Sequence, residues 1–262
     1  MSRHQRLNDI LTLLSERGHL QVEDIVDELS VSAATVRRDF DHLAAQQLLT
    51  RTHGGAVSTA ASYDLPLRYK IARSADAKLA IARAAAAMVT PGSSVALNGG
   101  TTTNEVARAV VSRPDLLPDA SGISLTVVTN ALNIATELAV RPQIKIVVVG
   151  GVARPQSYEL IGPLASSIIS QVNVDIVFLG VDAVTPEAGA MCRHEGEASV
   201  SRELAARSQR VVVVADSSKL LATAFARICD TSDIDVLLTD AEPDDAIRKA
   251  FEDSGVEVRV AG

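Results

Sequence analysis

The sequence predicts a two-domain chain in which a small module of three helices and a β-hairpin precedes a larger α/β domain with a mostly parallel sheet. Residues 1–57 have helical periodicity and end in an alternating, glycine-containing stretch, whereas residues 58–73 have no clear periodicity. From residue 74 onward, short β-branched runs alternate with helical segments. A length of 262 residues with 47% hydrophobic residues is sufficient for two buried cores. We therefore predict domains over 1–57 and 74–262, joined by a linker over 58–73.

The N-terminal module is predicted to contain three helices followed by the hairpin. Gly18 ends the first helix, the second stops near Ser30–Val31, and Ser32 is placed to cap the third. The hairpin lies in LLTRTHGGAV, where Gly54–Gly55 form the predicted two-residue turn. The apolar faces of the three helices are formed by Leu7, Ile10, Leu11, Leu13 and Leu14, by Val22, Ile25, Val26 and Leu29, and by Val36, Phe40 and Leu43.

The larger domain is predicted as seven strands and six helices. Because the strands are continuously apolar and are separated by helices, the sheet is expected to be mostly parallel and covered on both faces. The predicted strands lie near 94–97, 124–128, 144–149, 174–179, 210–215, 235–239 and 256–260. The predicted helices lie near 75–89, 103–112, 131–139, 160–171, 195–207 and 243–253.

The composition argues against several classes of protein. A net charge of −7 is not expected of a protein that coats nucleic acid without specificity, and 3% aromatic residues with no Trp disfavour a stacking platform for single strands. The longest apolar runs have the length of a strand and no signal-peptide core is present, so we expect a cytoplasmic protein without a membrane span. Cys192 and Cys229 are expected to pack in the core. Cys192 and His194 are too few to hold a metal, and neither a metal nor a cofactor is predicted.

The second and third predicted helices, joined by a short turn near residue 30, form a helix-turn-helix, whose second helix enters the DNA major groove. Arg37 lies between two inward-facing residues of that helix and must point outward, with Arg38 beside it. Ser32 and Thr35 lie in the first turn, which reaches base edges in this motif. The hairpin would form a wing that carries Arg51 and His53 towards the DNA backbone or minor groove. Because residues 1–60 contain more acidic than basic residues, a winged helix used only for protein contacts stays an alternative.

A glycine turn follows the first strand of the larger domain, in SVALNGGTTTNEVARAV. Gly99 and Gly100 allow close approach of a ligand to backbone amides, and the three threonines at 101–103 add hydroxyl donors. Thr102 and Glu105 have the spacing of a capping box. The stretch has neither the lysine of a P-loop nor a dinucleotide fingerprint, but it suits a phosphate or carboxylate at a helix N-terminus. A capped helix without a ligand is the alternative.

Polar residues also follow other predicted strands, at the edge where an open α/β sheet places its ligands. One such residue would carry little weight because loops are generally polar, but several at successive strand ends predict a shared site. Two of them are cations that can meet an anion. These residues are Asn130, Arg154, Asp182, Asp216 and Lys219.

The stretch from Arg6 to Val57, above all SVSAATVRRDFDHL followed by RTHGGAV, resembles the N-terminal winged helix of the DeoR family of bacterial sugar-metabolism regulators. The segments GGTTTNEVA, VVTNALNIATEL, VVVGGVARPQSYELIGPLA, VDIVFLGVDAV, EGEASVSREL and ADSSKL follow in the family's order, so the resemblance covers nearly the whole chain. In that motif, Asp39 is expected to orient an arginine rather than to touch DNA. The resemblance implies DNA contacts by Ser32, Thr35, Arg37 and Arg38, supported by Arg51 and His53.

The family's sensor domain is similar in fold to ribose-5-phosphate isomerase and glucosamine-6-phosphate deaminase, and it binds phosphorylated sugars or related intermediates. The family usually has Asp-Ser-Gly before its threonines, where this chain has Asn98 and Gly99 in the first two places, and usually has a lysine near the position of Ser201. These departures concern the identity of the effector and not the existence of a site. The predicted effector site comprises Asn98, Gly99, Gly100, Thr101, Thr102, Thr103, Asn130, Arg154, Asp182, Glu197, Asp216 and Lys219.

Together these features predict a transcriptional repressor of a carbohydrate-metabolism operon that binds double-stranded operator DNA and is controlled by a phosphorylated sugar. An alternative is an isomerase-like or deaminase-like enzyme with an accessory winged helix, in which Asp182, Glu197 and Lys219 would move protons and stabilise an enediolate. The chain lacks the lysine and glycine-rich loop of those enzymes, so no catalytic residue is assigned. A constitutive DNA-binding scaffold without effector is a third candidate. Because paired recognition helices read two-fold sites, we expect a homo-oligomer, either a dimer or a tetramer.

Overall fold

The computed structural model describes residues 1–46, 48–58, 67, 74–118 and 122–262. The chain divides into two compact units, residues 1–73 and 74–262. Apart from Ser58, which belongs to a strand, and Leu67, the predicted linker lies outside the described residues. None of the helices in the described ranges is both long and apolar enough to cross a membrane.

The N-terminal unit contains three helices and a three-stranded antiparallel sheet of order β1-β3-β2. All three predicted helices are present, and Ile10, Val36 and Phe40 are completely buried between them. Gly18 ends the first helix in the left-handed region at φ +74°, where a residue without a Cβ is favoured. The elements are α1 (Arg3–Arg17), β1 (His19–Gln21), α2 (Val22–Leu29), α3 (Ala33–Ala45), β2 (Leu49–Thr52) and β3 (Gly55–Ser58).

Two details of this unit differ from the sequence prediction. Thr52 pairs with Gly55, so the hairpin turn consists of His53 and Gly54 rather than Gly54–Gly55. The strand β1 was not predicted, because three residues between two helices are too short to show an alternating pattern. It pairs along its whole length with β3 and thereby attaches the hairpin to the helices.

The second unit is built on a seven-stranded, entirely parallel sheet of order β15-β14-β12-β9-β4-β5-β6. All seven predicted strands belong to it, which confirms the predicted fold class. The elements are α4 (Ala75–Ala86), β4 (Ser94–Leu97), α5 (Thr101–Val111), β5 (Leu125–Thr129), α6 (Leu132–Leu138), β6 (Ile144–Val148), β7 (Val152–Ala153), β8 (Leu160–Ile161), α7 (Pro163–Ile169), β9 (Ile176–Gly180), β10 (Ala183–Thr185), β11 (Gly189–Cys192), α8 (Glu195–Ala206), β12 (Val211–Val214), β13 (Ala226–Cys229), β14 (Val236–Thr239), α9 (Asp245–Asp253) and β15 (Glu257–Val260).

The sheet separates two hydrophobic cores. On one face, α4, α5 and α6 pack through residues such as Ile81, Val106 and Ile134. On the other face, α7, α8 and α9 pack through residues such as Leu204 and Phe251. The chain therefore changes face between β4 and β9, which are neighbours in the sheet. Open α/β sheets bind ligands outside the carboxyl ends of the strands at such a reversal, and the predicted glycine turn directly follows β4 at this position.

Three features of this unit were not predicted correctly. The predicted helix 160–171 begins only at Pro163, because the preceding residues form β8, which pairs with β7. The antiparallel sheet of order β10-β11-β13 was missed. The predicted capping box is wrong: Gly100 is the N-cap of α5 and no side chain caps the helix, while Glu105 instead accepts a hydrogen bond from Arg108 at 2.8 Å.

Candidate functional site

The outer face of α3 carries two adjacent arginines. Val36 and Phe40 are completely buried, whereas Arg37 and Arg38 are exposed, so the helix presents cations on the side opposite its core contacts. Arg38 Nε donates to the Ala34 carbonyl at 3.2 Å and lies along the helix. Arg37 makes no hydrogen bond or ion pair with any residue in the described part of the chain. This geometry leaves Arg37 available to a DNA base edge or phosphate.

The start of α3 is capped by the predicted hydroxyl pair. Ser32 Oγ accepts the backbone N–H of Thr35 at 3.2 Å, and the two side-chain hydroxyl oxygens are 2.9 Å apart. One of these two hydroxyl groups donates its hydrogen to the other, so the second hydroxyl hydrogen can be donated to an acceptor on a ligand. The first turn therefore offers a hydroxyl donor and free amides to a phosphate.

The wing is attached to α3 through Arg51. Its Nε lies 3.0 Å from Asp41 Oδ1, and its Nη1 donates to the Gly55 carbonyl at 3.1 Å. The guanidinium carbon lies 5.3 Å from the centre of the Phe40 ring, within the range of a cation–π contact. Arg51 therefore holds the hairpin against α3, and a DNA contact by its side chain would compete with Asp41. His53, at the tip of the turn, is exposed.

Asp39 does contact an arginine, but this arginine is Arg6 of α1 and not one on α3. Arg6 Nε and Nη2 donate to the two carboxylate oxygens of Asp39 at 2.5 and 3.2 Å. The Asp39 side chain is only 3% exposed and that of Arg6 is 13% exposed. This fork-shaped pair connects α1 to the centre of α3 beneath the exposed arginines.

In the second unit, Asn98 at the end of β4 is held by the neighbouring strand and by α8. Its amide nitrogen donates to the Gly180 carbonyl at 2.9 Å and to Ser201 Oγ at 3.1 Å. Its amide oxygen accepts the Gly180 N–H at 2.8 Å. Asn98 and Ser201, two of the three positions at which the chain departs from the pattern it resembles, are thus in direct contact. Both are buried, and the amide–hydroxyl bond joins them without any charge.

The predicted glycine turn runs directly into α5. Gly100 has φ +145°, a conformation that favours glycine, and the first amides of the helix at Thr101 and Thr102 have no side-chain cap. Thr103 is completely buried and donates its hydroxyl to the Gly100 carbonyl at 3.2 Å. Of the three threonines, Thr103 therefore stabilises the turn, whereas the turn's free amides and Thr101, which is half-buried, suit an anion.

A carboxyl group that the sequence analysis missed lies against this turn. Glu159, which precedes β8, is 4% exposed, and its carboxyl accepts N–H groups from Gly99 and from Asn130, the latter at 2.8 Å. Burial raises the pKa of Glu159 to about 8, and repulsion from Glu197 and Asp182 adds to the rise, while the two hydrogen bonds oppose it. Little in the sequence points to this residue, since a single acid beside an apolar pair is usually exposed.

Three further predicted residues approach the same edge of the sheet. Arg154 Nη1 lies 3.0 Å from Glu197 Oε1, and both side chains are 12% exposed. The Arg154 N–H donates to the Glu159 carbonyl at 2.8 Å, so these two residues face each other across the β7–β8 connection. Asp182 Oδ2 accepts the Arg193 N–H at 3.1 Å. The predicted residues Asn98, Gly99, Asn130, Arg154, Asp182 and Glu197 therefore share one crevice with Glu159.

Asp216 and Lys219 follow β12, beside β9. The Asp216 carboxylate accepts the Ser218 N–H at 3.2 Å and caps the short 3-10 helix Ser217–Lys219. Asp216 is buried and has this local structural role, while Lys219 ends the turn and is half-buried. A ligand contact by Lys219 stays a prediction.

Cys192 and His194, which precede α8, have local partners. Cys192 Sγ donates to the His194 carbonyl at 3.3 Å, and burial raises the pKa of the Cys192 thiol to about 12. His194 Nδ1 accepts the Gly196 N–H at 3.1 Å and caps the helix. Within the described ranges, no three His, Cys, Asp or Glu residues are grouped so that they could hold a metal ion.

Comparisons with known proteins agree with the two-unit organisation. Residues 6–61 match the family model for the DeoR-like helix-turn-helix domain, and residues 73–241 match the model for the DeoR C terminal sensor domain. The chain belongs to the DeoR family. The family resemblance is thereby confirmed, and this DeoR-family protein is a transcriptional regulator.

The relatives match nearly the whole chain. The glycerol-3-phosphate regulon repressor of Escherichia coli K12 is 30% identical over 99% of this chain and 100% of the relative. The transcriptional repressor AccR of Agrobacterium fabrum is 34% identical over 92% of this chain and 90% of the relative. Among solved structures, ribose 5-phosphate isomerase A of Methanocaldococcus jannaschii is 21% identical, with 56% of this chain and 55% of the other covered at a TM-score of 0.38. The sorbitol operon regulator SorC of Klebsiella pneumoniae is 12% identical, with 84% and 90% covered at a TM-score of 0.36.

Proposed function

We propose that this DeoR-family regulator is a repressor that binds double-stranded operator DNA through α3 and changes its DNA affinity when a phosphorylated sugar binds in the second unit. The exposed arginine pair over a buried helix face carries the DNA part of the proposal. The uncapped start of α5, at the carboxyl edge of the sheet, supports an anionic effector. Two relatives that are named as repressors, one of them of a glycerol-3-phosphate regulon, support the proposal.

The working form is proposed to be a homodimer or homotetramer in the cytoplasm. A single recognition helix buries too little surface for specific binding, whereas two helices related by a two-fold axis read a pseudo-palindromic operator. Analytical ultracentrifugation of the free protein and of its DNA complex tests this. A monomer bound to one half-site in the complex would contradict it.

The DNA surface is tested by replacing Arg37 or Arg38 with Ala. Each lost base contact should weaken operator binding by about 1–3 kcal/mol, or roughly five-fold to 150-fold, without loss of fold. Arg17→Ala is the matched control, since Arg17 is an exposed arginine of the same unit that pairs with Glu28 away from α3. The duplex is first selected by the wild-type protein from a random library and then titrated at one salt concentration. Wild-type affinity in both α3 variants would remove this helix from the DNA surface.

The effector is tested with a panel of sugar phosphates in thermal unfolding. A ligand at 100 times its dissociation constant should add about 2.7 kcal/mol of stability. Lys219→Ala should reduce this shift, because it removes a cation near the proposed phosphate, and Lys249→Ala on the exposed face of α9 is the control. If no sugar phosphate stabilises the protein, the constitutive DNA-binding scaffold becomes the better description.

The effector is proposed to be bound and not converted. This is supported by Glu197, one of the acids that the enzyme alternative would use, because Glu197 is engaged by Arg154. Incubation of the protein with each stabilising sugar phosphate, followed by analysis of isomers and of released ammonia, tests the enzyme alternative. Product formed above the uncatalysed rate would favour an isomerase or deaminase.

A further inference from the structure

We propose that Glu159 competes with the effector for the glycine turn, so that an anionic group binds there only when the Glu159 carboxyl is protonated. Effector binding would then take up a proton at alkaline pH. This inference rests on the proposed function, because it takes the turn at Gly99 to Thr102 as the subsite for the phosphate.

The position of Glu159 carries the proposal. A Cβ built on Gly99 would lie 2.2 Å from Glu159 Cγ and 2.6 Å from Oε1, so the carboxyl fills the space directly above the first residue of the turn. The carboxyl accepts the Gly99 N–H, which is one of the amides that an anion in the turn would use. The first free helix amides, at Thr101 and Thr102, are only two or three residues further along the chain. A phosphate on these amides would therefore stand next to the Glu159 carboxyl.

The surrounding charges make an ionised Glu159 incompatible with a second anion. Glu197 on α8 and Asp182 after β9 are acids that act on it from two sides. Arg154, on the facing strand connection, has its guanidinium at 3.0 Å from Glu197. His194 and Cys192, which precede α8, contribute a helix cap and a thiol that burial keeps neutral. The groups that hold the Glu159 carboxyl are the neutral amides of Asn130 and Gly99.

The proton linkage has a defined size. Because burial raises the pKa of Glu159 to about 8, the carboxyl is mostly neutral at pH 7 and mostly charged at pH 9. If only the protonated form binds an anion, the apparent dissociation constant rises about ten-fold between these two pH values and is nearly constant below them. A structural carboxyl that does not interact with the ligand would leave the affinity unchanged.

The substitution Glu159→Gln should remove the effect while keeping the contacts. The introduced amide has the same shape, and its oxygen can accept the Gly99 N–H. Asn130 Oδ1 is buried and has no hydrogen-bond partner in the described part of the chain. If the side-chain amide of Asn130 rotates by 180°, this oxygen can accept a hydrogen bond from the amide nitrogen of the introduced glutamine. The variant is therefore expected to fold and to mimic the protonated wild-type residue.

Sulfate is the probe, because it keeps its full charge between pH 7 and pH 9, whereas phosphate itself titrates. Sulfate-dependent stabilisation of the full chain is measured by thermal unfolding at about pH 7 and about pH 9 for the wild type, Glu159→Gln and Glu195→Gln. Glu195 is an exposed acid in the first turn of α8 and serves as the matched control. General stabilisation by sulfate through exclusion from the protein surface is shared by all three proteins and cancels in the comparison.

The wild type and Glu195→Gln should bind sulfate about ten-fold more weakly at pH 9 than at pH 7, and Glu159→Gln should bind equally at both. In calorimetry, performed in two buffers of different ionisation enthalpy, the wild type should take up about one proton per sulfate at pH 9. This measurement does not depend on the variant. Equal pH dependence in Glu159→Gln and the wild type, or no saturable sulfate binding in any of the proteins, would overturn the proposal. If sulfate behaves as expected and no sugar phosphate binds, the proposed function fails and the role of Glu159 stands.

Discussion

The ion pair between Arg6 of α1 and Asp39 of α3 should hold the recognition helix in place, and the size of its contribution to stability can be predicted. Replacing Arg6 by Met keeps the approximate length of the side chain but removes the closest cation from the 3%-exposed carboxylate of Asp39. Among the described residues, Asp39 then keeps an ion pair with Arg3, whose Nε lies 3.9 Å away and whose side chain is 62% exposed. Removing one partner of a buried ion pair typically costs about 3–5 kcal/mol. Asp39→Leu should cost less, because Arg6 is 13% exposed and can turn towards water. The double variant should recover much of the loss, since it leaves no buried charge unpaired.

The matched control is Arg17→Met. Arg17 also pairs with a carboxylate at 2.9 Å, on Glu28, but the two side chains are 45% and 38% exposed, so this pair should contribute no more than about 1 kcal/mol. Hydrogen exchange of the α3 amides reports the unfolding free energy of the first unit even when the two units unfold separately. If Arg6→Met costs no more than Arg17→Met, or if the losses of the single variants simply add in the double variant, the ion pair does not hold α3 in place.

Two further predictions concern the second unit. With increasing pH, the unfolding free energy of Glu159→Gln should rise relative to that of the wild type. The reason is that the wild type has its full stability below the ordinary pKa of 4.5 and loses stability as the pH rises through the raised pKa of about 8. At pH 9 this loss of unfolding free energy in the wild type amounts to at most about 5 kcal/mol. Urea denaturation at several pH values checks this, and a constant difference would show that Glu159 titrates normally. Asn98→Asp should destabilise the unit by about 2–4 kcal/mol near pH 7, because it replaces the amide group that donates to the Gly180 carbonyl by a buried negative charge. Ser201→Ala removes one neutral hydrogen bond and should cost only about 1 kcal/mol. Thermal unfolding separates the two, and equal losses would contradict the account of this contact.

Much of the fold was predictable because its information is local. The five inner strands of the main sheet are mostly apolar runs of four or five residues that are largely buried on both faces, and this pattern is visible without knowledge of the partners. The caps of the N-terminal helices were equally local, since Gly18 and Ser32 act on residues within one turn. Strands of two or three residues, such as β7 and β8, have too few positions for alternation and form only because a distant segment pairs with them. At Pro163 the apolar spacing suggested a longer helix, but proline fits the first helical position and so marks the start.

The candidate site was predictable only in part, for the same reason. The glycine turn and the polar strand ends follow from the position of each residue relative to its own strand. Which side chains meet across the crevice depends on loops whose paths the sequence does not show, and so the contact of Asn98 with Ser201, 103 residues apart, was not predicted. Glu159 was missed because its burial is caused by the β7–β8 connection. The partner of Asp39 was likewise distant in sequence, on α1.

The departures of this chain from the DeoR pattern are linked to one another through contacts. Where that pattern has an acid before the turn and a lysine near position 201, this chain has Asn98 and Ser201, which share a neutral hydrogen bond. Where the pattern has a serine in the turn, Gly99 leaves room that the Glu159 side chain occupies. Glu159 thus places a carboxyl against the turn, and burial raises the pKa of this carboxyl to about 8. A fixed ion pair would hold the same charge at every physiological pH, whereas the charge of a carboxyl with this pKa depends on pH, and we propose that the affinity for an anionic effector changes with it.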